Sequence, residues 1–220
     1  MESSFKKNKA LVFGATGLTG RFVTELLSND SRFNEVVAFV RNKTNFNDRV
    51  NQVEFNADNL SAVHSKIKGD YLFCCLGTTI KQAGSKENFR KVDLYLVEEI
   101  AKAARENMVG TFSVVSSVGA SATSGNFYLR TKGQMEESVK QLEFDNLLIM
   151  RPSMLLGIRP QTRFLEDAGK VLIKLMSPLM IGKLKKYKPV HAADLARFMI
   201  ETALTVNGTH IYESDTILNG

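Results

Sequence analysis

Tyr128 and Lys132 stand four residues apart in a segment, Gly125 to Leu142, that reads as a helix, so the two side chains share one face. A free phenol, with a pKa of about 10, is a poor proton donor at neutral pH. A neighbouring ammonium stabilises the phenolate. Tyrosine can then act as a general acid toward a carbonyl or as a base toward an alcohol. The same ammonium is placed to donate hydrogen bonds to ribose hydroxyls. Ser116 and Ser117 follow a short apolar run, and either hydroxyl could hold the reacting oxygen. A Tyr-x-x-x-Lys pair is common by chance. One that follows serines at a strand end, in a chain with a glycine-rich turn, is more specific.

Such a turn is present as Gly14-Ala15-Thr16-Gly17-Leu18-Thr19-Gly20. A turn from strand into helix needs a residue free to take positive φ, and no side chain where a pyrophosphate approaches. The helix beginning near Gly17 aims free N–H groups and its positive dipole end at that anion. Gly20 lets the helix pack closely on the sheet. Between a first strand and a first helix of a parallel fold, this spacing predicts dinucleotide binding. Arg41 follows the next apolar run, about twenty residues on, where an NAD site usually carries an acid. An Arg suits a 2′-phosphate and can stack on adenine, and Lys43 could add charge. NADP(H) is therefore expected over NAD(H), with NAD(H) still possible.

The elements that must position these groups alternate along the chain. Strands are expected at Ala10–Phe13, Glu35–Val40, Val53–Phe55, Tyr71–Leu76, Thr111–Ser116 and Leu147–Met150. Helices are expected at Leu18–Leu27, Leu60–Ile67, Lys86–Glu106 and Gly125–Leu142. Val92, Leu96, Ile100 and Ala103 give the third of these a helical apolar face. Strand–helix–strand alternation demands parallel pairing, and burial on both faces explains the continuous apolar runs. Beyond Arg151 the pattern loosens, with helices expected over Arg163–Met176 and Ala193–Leu204 and a last strand over His210–Glu213. The fold class is α/β: a Rossmann doubly wound parallel sheet with helices on both faces and a small C-terminal cap. Residues 1–220 read as one domain, with a core over 8–150 and a small substrate-side region over 151–220.

Composition narrows the class further. The chain has 220 residues, is 44% hydrophobic and 24% charged, and contains no Trp. That is ordinary for a globular protein. A net charge of +6 could mean an anionic partner, but the cations are scattered apart from Lys183, Lys185, Lys186 and Lys188, which read as a solvated loop. No nucleic-acid partner is expected. Cys74 and Cys75 are neighbours on a strand and so point to opposite faces, which makes a bond between them implausible and favours buried thiols. His64, His191 and His210 lack ligand spacing, and no metal is expected. Met1 to Ala10 carries no secretory stretch, and Val171 to Ile181 is broken by Lys174 and Pro178 and too short to span a bilayer. A cytoplasmic monomer or homodimer, with no membrane partner, is the expectation.

GATGLTGR, FCCLGTT, VVSSVGA, NFYLRTKG, RPSMLLG and the late PVHAADLA together span residue 11 to about 195. On these stretches the chain resembles the short-chain dehydrogenase/reductases of the atypical or extended NAD(P)-binding type, and more closely the Tat-interacting-protein-like oxidoreductases. The resemblance implies Ser117 as catalytic serine with Ser116 beside it in the cofactor site, Tyr128 as proton donor and Lys132 as ribose ligand. It implies Gly77 and Thr78 at the adenosine ribose and pyrophosphate, Asp58 and Asn59 near adenine, and Pro152 and Ser153 bordering the nicotinamide. The family usually adds an Asn from the preceding helix, which the residues around Asp93 do not supply. The expected activity is NADP(H)-dependent hydride transfer to or from a small carbonyl or alcohol, the substrate itself being unspecified. The alternatives are a cofactor-loaded regulatory or scaffold protein, and a nucleotide-sugar epimerase or dehydratase. Little chain remains after Met150 to hold a nucleotide-sugar.

Overall fold

The computed structural model describes residues 8–157 and 182–219. The expected helix over Arg163–Met176, the apolar stretch Val171–Ile181 and the side chain of Lys183 lie outside the described residues. Within them, β1 (Asn8–Phe13), β2 (Phe33–Val40), β3 (Val50–Glu54), β4 (Tyr71–Cys74), β5 (Thr111–Val115), β6 (Asn146–Arg151) and β9 (Gly208–Glu213) form one parallel sheet. Its order is β3-β2-β1-β4-β5-β6-β9. This is the doubly wound Rossmann arrangement: the winding reverses beside β1, and a crevice opens at the carboxyl ends of β1 and β4. A separate pair, β7 (Leu155–Leu156) with β8 (Val190–His191), lies beyond β6.

Successive strand residues face opposite sides, and the core splits accordingly. Leu11, Phe13, Leu72, Cys74, Phe112, Val114 and Ile149 pack into one layer. Ala10, Val12, Ala38, Phe73, Leu148 and Met150 pack into the other. The first layer is covered by the 3₁₀ segment Ala57–Lys66, α4 (Leu96–Glu106) and α5 (Phe127–Lys140). The second is covered by α1 (Leu18–Asn29) and α6 (Ala192–Thr205). Cys74 joins the first layer and Cys75 packs against the second, and both are free thiols.

The departures from the expected elements have local causes. The segment after β3 is 3₁₀ rather than α and is kinked at Asn59, where φ is −142° and ψ 62°. Edge strand β3 begins earlier than expected, since its Asn51 and Gln52 hide the apolar signature of a strand. The expected helix Lys86–Glu106 is three pieces: α3 (Lys86–Arg90), a π turn over Lys91–Tyr95, and α4. Short helices α2 (Ile80–Ala83) and α7 (Ser214–Asn219) and the β7–β8 pair have too few residues to show a period.

Arg32 joins the two ends of the α1 layer. Its Nη2 lies 2.7 Å from Asp30 Oδ2, and its Nη1 donates to Glu201 Oε2 on α6 at 2.9 Å. Hydrogen bonding to Arg32 holds both carboxyls below their ordinary values. A depressed carboxyl adds stability above its unfolded pKa, and that stability is lost as pH falls through the folded value. Arg32→Ala should therefore cost about 1 kcal/mol or less near neutral pH, the range for exposed pairs. In urea unfolding the difference should shrink as pH falls through the lowered folded-state values of Asp30 and Glu201 and vanish once both carboxyls are protonated.

Candidate active site

The first turn after β1 is built by contacts that leave no room for side chains. Gly14 has φ +75°, and a Cβ there would lie 2.7 Å from the carbonyl carbon and oxygen of Cys75. Gly20 presses its α-carbon on the turn itself, since an added Cβ would stand 2.1 Å from Gly14 O. Gly17 N–H closes the turn by donating to Gly14 O at 2.9 Å. Gly17 is also the N-cap of α1, has no side-chain cap, and is exposed. A Cβ on it would meet Gly14 O at 3.1 Å and nothing worse. The fold thus requires glycine at 14 and 20, whereas at 17 the open space lies outside, at the helix end. Ala15 and Thr19 are buried, Thr16 is exposed, and Leu18 is half-buried where Gly157 approaches it. The Thr19 hydroxyl is buried without a hydrogen-bond partner among the described residues. A free helix end beside a glycine cradle fits a pyrophosphate.

Across the crevice, Tyr128 and Lys132 occupy one face of α5, which Asn126 caps by accepting from Leu129 N. The half-buried Tyr128 ring packs against buried Phe89, with centroids 5.5 Å apart. Lys132 is 3% exposed, and its Nζ lies 2.8 Å from Asp93 Oδ1 and 3.4 Å from Val115 O. Asp93, wholly buried, comes inward on the π turn and accepts from Thr78 N through Oδ2 at 2.8 Å. Burial works against the Lys132 charge, but the attraction of Asp93, with a further part from Tyr128, more than offsets it. The ammonium is held above the ordinary lysine value. Exposed Gly77 roofs the pair: a Cβ there would lie 3.6 Å from Asp93 Oδ1 and 4.0 Å from Lys132 Nζ.

The next turn of α5 carries Glu136, 1% exposed, which accepts from Ser116 Oγ and from both Nε and Nη2 of Arg151. Ser116 is thereby engaged in locking α5 to the ends of β5 and β6. The hydroxyl of Ser117, also buried, donates a long 3.5 Å hydrogen bond to Val118 O. Val118 N donates to the carbonyl of buried Pro152 at 3.0 Å. Ser153 is tied on both sides, its N–H donating to Ser214 Oγ and its hydroxyl to Lys188 O. Burial pushes the Cys74 thiol up to about 12 and raises Cys75 as well, so neither offers a thiolate at neutral pH.

At the far end of the crevice Arg41 directly follows β2, exposed and without an ion-pair partner among the described residues. Lys43 is exposed, its backbone N–H donating to Glu54 Oε1. Asp58 and Asn59 are exposed at the start of the 3₁₀ segment after β3, and the Asn59 side chain accepts from Ser61. The candidate catalytic and cofactor-binding residues follow the carboxyl ends of their strands or, for Tyr128 and Lys132, sit on α5 beside the end of β5. The sequence reading missed Glu136, Arg151 and the part played by Asp93. Glu136 continues the four-residue spacing of Tyr128 and Lys132. Asp93 shares a helical stripe with buried Val97, Ile100 and Ala104, where a carboxylate needs a partner.

A family model described as NAD(P)H-binding matches residues 14–205, the span that contains the glycine turn, the crevice and α5. The chain belongs to this NAD(P)H-binding family. A mitochondrial protein of Scheffersomyces stipitis, FMP52-1, is 33% identical over 199 residues, covering 88% of this chain and 87% of its own. HTATIP2 of Rattus norvegicus is 34% identical over 170 residues, covering 74% of this chain and 70% of its own. Among solved structures, the Bordetella bronchiseptica enzyme WbmH in complex with NAD+ superposes with a TM-score of 0.70 at 18% identity, over 97% of this chain and 79% of that one. An ADP-L-glycero-D-manno-heptose-6-epimerase of Helicobacter pylori gives 0.69 at 16% identity, with the same coverage. These likenesses agree with an atypical short-chain dehydrogenase/reductase fold.

The relatives overturn one expectation. Proteins 30–36% identical to this chain from five yeasts are named as mitochondrial, not cytoplasmic. Free thiols do not separate the cytosol from an organelle reached by its own address. No described helix is long and apolar enough to cross a membrane.

Gly17→Val should leave the far-ultraviolet circular dichroism largely unchanged, since its Cβ asks only a small shift of Gly14 O at 3.1 Å, and should abolish NADPH binding. A folded variant that binds NADPH normally would remove Gly17 from the site.

Proposed function

We propose that this chain is an NADP(H)-dependent oxidoreductase acting on a small carbonyl or alcohol. The observation that carries the reading is the face of α5: a half-buried tyrosine one turn from a buried, ionised lysine, at the same sheet edge as the glycine turn. The turn and the uncapped start of α1 hold the pyrophosphate. Arg41 takes the 2′-phosphate, with Asp58 and Asn59 toward adenine and Gly77 and Thr78 along the ribose and pyrophosphate. Bound cofactor supplies or accepts the hydride. Tyr128 donates the proton to the carbonyl oxygen, or removes it from an alcohol, while Ser117 holds that oxygen. Lys132 donates to ribose hydroxyls. Ser116 and Glu136 fix the strand end that carries Ser117, and Pro152 and Ser153 border the nicotinamide through their backbone. The chain works as one unit, and by analogy with its relatives it acts in mitochondria.

Two measurements test this. Because the chain has no Trp, NADPH and NADH fluorescence titrations are free of indole emission. NADPH should bind more tightly, and Arg41→Asp should narrow or reverse the preference by about 1.5–3 kcal/mol, the value of a hydrogen bond to a charged group. Equal affinities in the unaltered protein would refute the 2′-phosphate assignment.

On a panel of carbonyls and alcohols, Tyr128→Phe should keep NADPH affinity and lose turnover by about 10²–10⁴-fold, the usual contribution of general acid catalysis. Binding without turnover by the unaltered protein on the whole panel would favour a cofactor-loaded regulatory protein.

A further inference from the structure

Lys132 is the one residue of the site that the sequence places well and the surroundings make improbable: an ammonium 3% exposed, set between a sheet and a helix. Isolated burial of such a charge is costly enough that lysines normally lose their proton instead. The polar neighbours available to it are few. Val115 O lies at 3.4 Å, long for a hydrogen bond, and Asp93 Oδ1 lies at 2.8 Å. The ionisable groups that face it are Asp93 from the π turn, Tyr128 from its own helix and Cys74 from β4. Cys74 stays a neutral thiol. Glu136, one turn further along α5, is taken by Arg151 and Ser116.

We propose that Asp93 is a positioning residue for the reaction: it is the counter-ion that keeps Lys132 ionised and held beneath Gly77, and through Lys132 it controls cofactor binding. The local backbone serves this contact. A regular helix from Lys86 to Glu106 is interrupted by a π turn at Lys91–Tyr95, and such insertions occur preferentially at functional sites. The turn places one carboxylate between two groups of the crevice, Thr78 N–H at 2.8 Å on Oδ2 and the ammonium on Oδ1. Gly77 covers the pair with no side chain of its own, its missing Cβ 3.6 Å from Asp93 Oδ1 and 4.0 Å from Lys132 Nζ. The inference rests on the reading of Lys132 as a cofactor ligand.

The test is Asp93→Asn, which keeps an acceptor for Thr78 N–H and removes the charge. In the intact protein Lys132 stays ionised over about pH 6–9, so NADPH affinity is flat with respect to this group. In the variant, burial acts without the carboxylate to oppose it and the lysine titrates inside that range. NADPH affinity should then fall by up to about tenfold per pH unit above the new value. Lys132→Met should bind weakly at every pH. Stability should move the opposite way. A buried lysine whose pKa is depressed destabilises the fold most at low pH, so the loss in melting temperature should be largest near about pH 6 and narrow as pH rises. If Asp93→Asn fails to fold, Asp93→Asn/Lys132→Met, which removes both charges, should fold.

Parallel pH dependence of NADPH affinity in Asp93→Asn and the intact protein would overturn the proposal, as would failure of the double variant to fold. An intact protein that does not bind NADPH sinks the cofactor reading, whereas a stability gap independent of pH sinks the counter-ion role.

Discussion

A buried ammonium dictates its own surroundings, and much of this crevice is arranged around the one on Lys132. Its contact with Asp93 ties four separate pieces of chain: the π turn, the loop after β4 through Thr78, the end of β5 through Val115, and α5 itself. Desolvating two charges can cost as much as their attraction returns, so such a pair is weak evidence for stability. Losing one partner is another matter, because the survivor is left uncompensated at a cost of about 3–5 kcal/mol. The pair therefore acts as a constraint on arrangement more than as a source of folding energy. Hydrophobic burial on both faces of the sheet supplies that energy.

The opposite wall of the crevice is set by contact distance instead of charge. With Gly14 against the backbone of Cys75 and Gly20 against Gly14, α1 starts as close to the sheet as a helix can. An anion at its end then meets backbone N–H groups with no side chain between. The two walls meet at the β1–β4 boundary, where the order of strands reverses, the place where doubly wound sheets bind ligands.

Much of this was legible in the sequence. Parallel strands buried on both faces appear as unbroken apolar runs, so β1, β2, β4, β5 and β6 were found within two or three residues. The close-packed glycine turn and the shared helix face of Tyr128 and Lys132 were legible from spacing read together with the strands around them. What escaped was whatever depends on a partner distant in the chain. Asp93 looks like one more polar residue in a helix until the π turn brings it within 2.8 Å of Lys132, 39 positions later. Glu136 resembles its exposed neighbour Glu137 in every local respect, and only Arg151 and Ser116 set it apart. The polar edge strand β3 lay at the margin of detection for the complementary reason, that it lacks the burial that writes a pattern. Localisation was not legible at all, since a receptor-read address is not a packing property.

The consequence of α5 carrying Lys132 and Glu136 on one buried face reaches into how the protein fails. To seat the helix, both charges must leave water, and each is compensated only by a partner from elsewhere: Asp93 for one, Arg151 for the other. A helix tilted or slipped so that one partner is missed would strand a charge in the interior, at a cost comparable to much of the stability of a small domain. Half-seated arrangements are accordingly scarce. Damage elsewhere in the chain would lower the number of competent molecules while leaving each survivor with the full geometry of the site, and heat or denaturant would extinguish the site as a switch rather than blur it.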